Sequence, residues 1–198
     1  MRSFVPAPLA LVVAVLVGIG FGSADQYLGS LVAPGGWTQT LSLLSAPWLV
    51  LPFALGCGQI RARQAATIGL VVTMTALLGY FVMIMGPLEG GQWNLSLHEA
   101  RGVLSSNELN IFGGLVTGPL YGFLGQRWRT RRAWMSAVLV AGAICLEPFA
   151  LTAAGRTLDG RSSTVWTLEV VAGMATAIYF ALAGLVYRRR RARLTAQS

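Results

Sequence analysis

From Ala65 to Met85 the chain reads AATIGLVVTMTALLGYFVMIM, with no charged residue and nothing more polar than threonine and tyrosine. At about 1.5 Å per residue a helix of this length spans roughly 30 Å, the thickness of a bilayer's hydrocarbon core. The stretch lacks the strict polar–apolar alternation of a barrel strand, and backbone facing lipid must satisfy its own hydrogen bonds, so the expectation is a membrane-crossing helix.

Working outward from this run, five more segments have a related character: Phe4–Phe21, Leu41–Cys57, Leu109–Leu124, Ala133–Leu151 and Thr164–Tyr187. The second and fourth of the six are short and contain proline (Pro47, Pro52, Pro119). The sequence thus predicts an all-α, polytopic membrane bundle of six transmembrane helices. Residues 1–187 would form one transmembrane domain and residues 188–198 a basic cytoplasmic tail. Composition agrees: 55% of the 198 residues are hydrophobic and 11% charged, against about 25% charged in soluble domains. The first segment has a second reading as a signal peptide, because GFGSADQ offers small residues before a cut after Ala24.

All 15 basic residues are arginine, and their placement predicts orientation. Arg2, Arg61, Arg63, Arg127, Arg129, Arg131, Arg132, Arg188, Arg189, Arg190, Arg191 and Arg193 fall on one side of a six-span topology. Arg101, Arg156 and Arg161 fall on the other. Positive charge near span ends stays cytoplasmic, so both termini are expected inside the cell. The net charge of +8 is explained by topology and by contact with membrane lipid, and no nucleic-acid partner is expected.

Five of the seven acids lie in predicted outer loops: Asp25, Glu89, Glu99, Glu108 and Asp159. The other two interrupt apolar spans. Glu147 stands in AICLEPFAL (residues 143–151), directly before Pro148, and Glu169 starts a four-step stripe of Glu169, Gly173, Ala177 and Ala181. Both acids are expected at similar shallow depth in the outer half of the membrane. There Arg156 and Arg161 serve as ion-pair partners in one reading, and the acids hold a ligand or proton in the other. Pro148 either ends the helix or kinks it, freeing the carbonyl of Ile144. Asp25, Trp37, Glu147, Arg156 and Glu169 are the candidate ligand-binding residues.

Small residues recur at four-residue spacing as Ala10, Ala14, Gly18 and Gly22, as Gly114, Gly118 and Gly122, and as Gly173 with Ala177. Such faces let helices approach closely, within the chain or against a membrane-protein partner or second copy. In the loop 86–110, Ser96 and Glu99 have capping-box spacing and Leu97, Ala100 and Leu104 share one side, which predicts a short interfacial helix.

No phosphate-binding loop, G-x-S-x-G or H-E-x-x-H motif occurs, and one histidine and no lysine leave few general bases. Cys57 and Cys145 have no metal-binding spacing. No cofactor, metal or catalytic residue is expected.

The segments GSADQYLGSL and LSAPWLVLPFALG, with the short arginine-rich inner loops, resemble a family of integral membrane proteins of unknown function from high-GC Gram-positive bacteria. The resemblance implies six helices and transfers no functional residue. In architecture the chain is also similar to substrate-binding subunits of energy-coupling-factor transporters. That likeness implies an outward ligand pocket and a first helix docked to a transport partner through Ala10, Ala14 and Gly18. The expected function is therefore a small-ligand-binding or transport-associated subunit. The alternatives are an assembly protein recruiting partners through small-residue faces and an intramembrane lipid-modifying enzyme resting on the two carboxylates.

Overall fold

A computed structural model describes residues 6–31, 42, 44, 46–86, 96–131, 134–153 and 160–195. These residues form seven helices: α1 (Ala7–Ser30), α2 (Ala46–Gly56), α3 (Ala62–Ile84), α4 (Leu97–Ser106), α5 (Glu108–Arg131), α6 (Trp134–Ala153) and α7 (Gly160–Thr195). Among the described residues there is no strand. Three stretches are long and apolar enough to cross a membrane: α1, α3 and the Trp166–Gly184 part of α7. Helix α2 and the Trp134–Leu146 part of α6 are apolar but shorter. The chain divides into two compact units, Met1–Gln126 and Arg127–Ser198.

Helix α3 is the centre of the first unit, and its two sides receive different neighbours. Toward α1 it presents Ile68, Val72, Thr75, Ala76 and Gly79. Ala10, Ala14, Gly18 and Gly22 are buried on the facing side of α1. Contact is backbone to backbone: a Cβ on Gly18 would stand 2.6 Å from the Val72 carbonyl oxygen, and one on Gly22 would overlap the Ala76 carbonyl. Thr75 Oγ1 bonds within its own helix to the Val71 carbonyl at 2.8 Å and lies 3.4 Å from the Ala14 carbonyl. Contacts advance along both helices in the same sense, from Ala14 and Val72 to Ser23 and Gly79, so α1 and α3 run parallel.

On its other side α3 meets α5. A Cβ on Gly118 would lie 2.8 Å from the Gly69 carbonyl oxygen, and one on Gly122 would overlap that of Ala65. Here the order reverses, so α5 is antiparallel to α3. The C-terminal half of α2 closes against the same stretch of α5. Gly56 abuts Gly122, Gly125 abuts Phe53, and the Cys57 thiol donates to the Gly125 carbonyl at 3.3 Å. Gln126 Nε2 donates to the Ile60 carbonyl at 2.6 Å and fixes this end. In the second unit α6 and α7 pack antiparallel, with Gly173 against Cys145 and Gly184 against the Trp134 ring.

Size is distributed inversely to the pattern of a water-soluble domain. Alanine, glycine and threonine fill the helix contacts, while Leu9, Leu16, Leu78, Leu120, Leu139, Phe149, Ile178 and Leu182 are exposed. A water-soluble monomer rarely leaves so many large apolar side chains exposed. Hydrocarbon accepts it, and close backbone approach then supplies the packing energy.

Several boundaries differ from the sequence-based expectation. Helix α1 does not stop at Phe21 but runs to Ser30, so Asp25 is helical rather than in a loop. The reason is that its buried four-step face continues from Gly22 onto Asp25 and Gln26, and nothing in SADQYL breaks a helix. The same continuity carries α1 through Ala24, the candidate cleavage position. Helix α5 extends past Leu124 to Arg131 and takes in part of the arginine cluster. Helix α7 extends past Tyr187 to Thr195, so most of the basic tail is helical. Helix α6 passes through Pro148 to Ala153, which excludes a helix end at Glu147. Proline inside a membrane helix loses one backbone hydrogen bond that neighbours can replace, and α2 and α5 likewise contain Pro52 and Pro119.

Helix α4 is capped as the spacing predicts: Ser96 is its N-cap, and its hydroxyl accepts from the Glu99 N–H at 3.2 Å. Leu97 and Leu104 on this helix are exposed.

Candidate functional site

Where α1 and α3 reach their C-terminal ends, the first unit becomes aromatic and polar. Ser23 Oγ donates to the Gly79 carbonyl at 3.4 Å, holding the two helices together two residues before Asp25. Asp25 follows on α1 and is only 9% exposed. Trp48, in the first turn of α2, donates its indole Nε1–H to Asp25 Oδ2 at 3.3 Å. The same indole packs edge-on against Phe21 of α1, with ring centroids 5.2 Å apart, and against Tyr80 of α3 at 6.2 Å. Edge-to-face pairs of this kind favour a fixed ring arrangement. Three helices thus contribute to one cluster, and α2 is tied at both ends, to Asp25 above and to α5 below.

Asp25 Oδ1 is neither hydrogen-bonded nor sealed from the surface among the described residues. No arginine lies in α1 or α2, and the two nearest α3, Arg61 and Arg63, stand at its opposite end. The arrangement is a carboxylate held by one neutral donor, beside three aromatic rings, with one acceptor atom unused. Such a group can accept a hydrogen bond, hold a proton or attract a positive charge.

Of the five residues expected to line a site, Asp25 belongs to this cluster. Trp37 and Arg156 lie outside the described residues, as does the side chain of Glu147. Glu169 is in the second unit, on α7, and is 9% exposed. Its helix passes α6 with the Cys145 thiol donating to the Val170 carbonyl at 3.7 Å, so the backbone positions of Glu147 and Glu169 fall at similar levels on adjacent helices. Trp166, one turn before Glu169, is buried with no hydrogen-bond partner on its indole nitrogen. Among the described residues no three His, Cys, Asp or Glu side chains gather as a metal site.

Trp48, Phe21 and Tyr80 were not legible as site residues. Trp48 sits in an apolar run where tryptophan usually marks a membrane boundary. A signal was present all the same: extending the Ala10–Gly22 step by one more turn reaches Asp25 and Gln26 and makes that acid part of the buried helix face.

Compared with known proteins, the chain matches no family model, no curated protein and no solved structure.

Proposed function

We propose that this chain is a multi-pass membrane protein of six crossings, with both termini cytoplasmic, that binds a small ligand at the Asp25–Trp48 cluster as a receptor or transport-associated subunit. The observation that carries the reading is Asp25 itself, a buried carboxylate on a helix long and apolar enough to cross a membrane. An acid in such a helix is costly and is retained where it serves a ligand, ion or proton. Among the described residues its partner is an indole and no arginine pairs with it, so no ion pair there accounts for the carboxylate.

Topology supports the placement. Helices α1 and α3 run one way and α5 the other, and the arginine distribution favours an outer position for the Asp25 end. Helix α2, at 11 residues, spans about 16 Å, roughly half the hydrocarbon thickness. In this reading it is a half-length helix that lowers Trp48 into the outer leaflet beside Asp25. The rival reading, an assembly protein recruiting partners through small-residue faces, is less well supported. Ala10, Ala14, Gly18, Gly114, Gly118 and Gly122 are taken up by contacts inside the chain, which leaves those faces nothing to offer a partner.

The test is mass spectrometry of small molecules retained by purified wild-type and Asp25→Asn chains, matched for yield and monodispersity. The reading expects a compound held by the wild type and lost from the variant. Identical retained sets on two folded proteins would sink it.

A further inference from the structure

We infer that the ligand taken at Asp25 is an organic ammonium ion, bound through the carboxylate and the rings of Phe21, Trp48 and Tyr80. This rests on the reading of Asp25 as a ligand site. Three observations lead to it: the first removes an anionic ligand, the second a metal ion, and the third concerns how the rings are held.

The first is charge. From Ala7 to Ile60, Asp25 is the only charged residue, and the one charge within α3 is Arg63 at its far end, so none of the three helices that build the cluster supplies a cation beside Asp25. An anionic ligand would meet uncompensated repulsion there, whereas a cation completes the site. The second is the donor set. A hard metal ion stripped of its water takes six or more oxygen ligands, whereas the cluster offers one carboxylate with one unused oxygen, and no three His, Cys, Asp or Glu side chains gather among the described residues. An ammonium group needs less: one carboxylate and aromatic rings, whose quadrupoles attract a weakly hydrated cation. The third is rigidity. Hydrogen-bonding to Asp25 and edge contacts to Phe21 and Tyr80 hold Trp48 from three sides, so the rings are organised before any ligand arrives.

Ammonium of this kind has two sources, a free solute and a lipid headgroup, and the experiment separates them. The full chain is placed in phosphatidylglycerol nanodiscs, which contain no ammonium headgroup. It is titrated with choline and with 3,3-dimethylbutan-1-ol, a neutral molecule of matching shape. Binding is read by calorimetry and by the thermal midpoint. Choline is expected to bind at least tenfold more tightly than the alcohol, and Asp25→Asn to abolish the difference. Repeating the titration in phosphatidylcholine discs assigns the source: a lost response means the headgroup fills the site, and a retained response means a free ammonium does. Equal binding of the alcohol, still dependent on Asp25, overturns the ammonium assignment and leaves the ligand site standing. A retained compound that depends on Asp25 but is neutral or anionic does the same. If neither probe nor any retained compound responds to Asp25→Asn, both the assignment and the site fail. Trp48→Phe keeps a ring in place, and its folded midpoint shows whether a loss of binding reflects the site or the fold.

Discussion

Gly22 of α1 lies against the carbonyl of Ala76 in α3, so closely that a Cβ on Gly22 would overlap that oxygen. Two residues earlier on the same helix, Gly20 has nothing within 4 Å of its Cβ position. The pair forms a controlled comparison, since both changes to leucine improve helix propensity but only one meets a neighbour. Gly22→Leu is expected to lower the thermal midpoint of the purified protein by several degrees, an overpacking cost of about 1–3 kcal/mol or more. Gly20→Leu should leave it within about half a kcal/mol of the wild type. Equal effects would show that α1 does not pack on α3 by this face.

The bond from Trp48 to Asp25 predicts an energetic coupling. Asp25→Ala removes the acceptor and Trp48→Phe removes the donor, so the two losses should not add. A double-mutant cycle on unfolding in detergent is expected to give an interaction of about 1 kcal/mol, in the range for an intramolecular hydrogen bond. Strict additivity would mean that the hydrogen bond between the two side chains contributes nothing to stability.

Ser96 accepts from the Glu99 N–H at the start of α4. Ser96→Ala should destabilise that short helix by about 1 kcal/mol, and Ser96→Thr should restore most of the loss. Hydrogen exchange is the measurement, with several-fold faster exchange expected at the Glu99 amide and through the helix while α3 is unaffected. Unchanged exchange at Glu99 would remove the cap from the account.

Much of this architecture could be read from spacing. The uninterrupted apolar run of α3 and the four-residue steps through Gly18 and Gly122 are patterns of one residue type at one period, and helix packing depends on them directly. Ser96 and Glu99 carry their cap in the same local way. Asp25 was harder, because an acid after a glycine-rich stretch resembles the start of a loop, and the clue that the helix continues is the four-step face running on from Gly22. Trp48 was hidden for a different reason. Its role comes from a contact 23 residues away in sequence, and no local pattern records which indole will reach which carboxylate. The expectation built on Glu147 shows the converse: an acid directly before a proline left a helix end and a kink both open, and α6 continues past Pro148 to Ala153, which removes the first of the two.

The central claim is that the Asp25–Trp48 cluster opens to the outside of a membrane-crossing bundle. Labelling of single cysteines in intact cells by a membrane-impermeant maleimide tests it most directly. Cys57 and Cys145 are first replaced by alanine, and one cysteine is introduced at Ser3, Tyr27, Ser105 or Ala196. Tyr27 is exposed two residues beyond Asp25, and Ser105 lies on α4. The account predicts that the cysteines at 27 and 105 react in intact cells, and that those at 3 and 196 react only after permeabilisation. Labelling at 3 and 196 in intact cells, with 27 and 105 protected until permeabilisation, would contradict it.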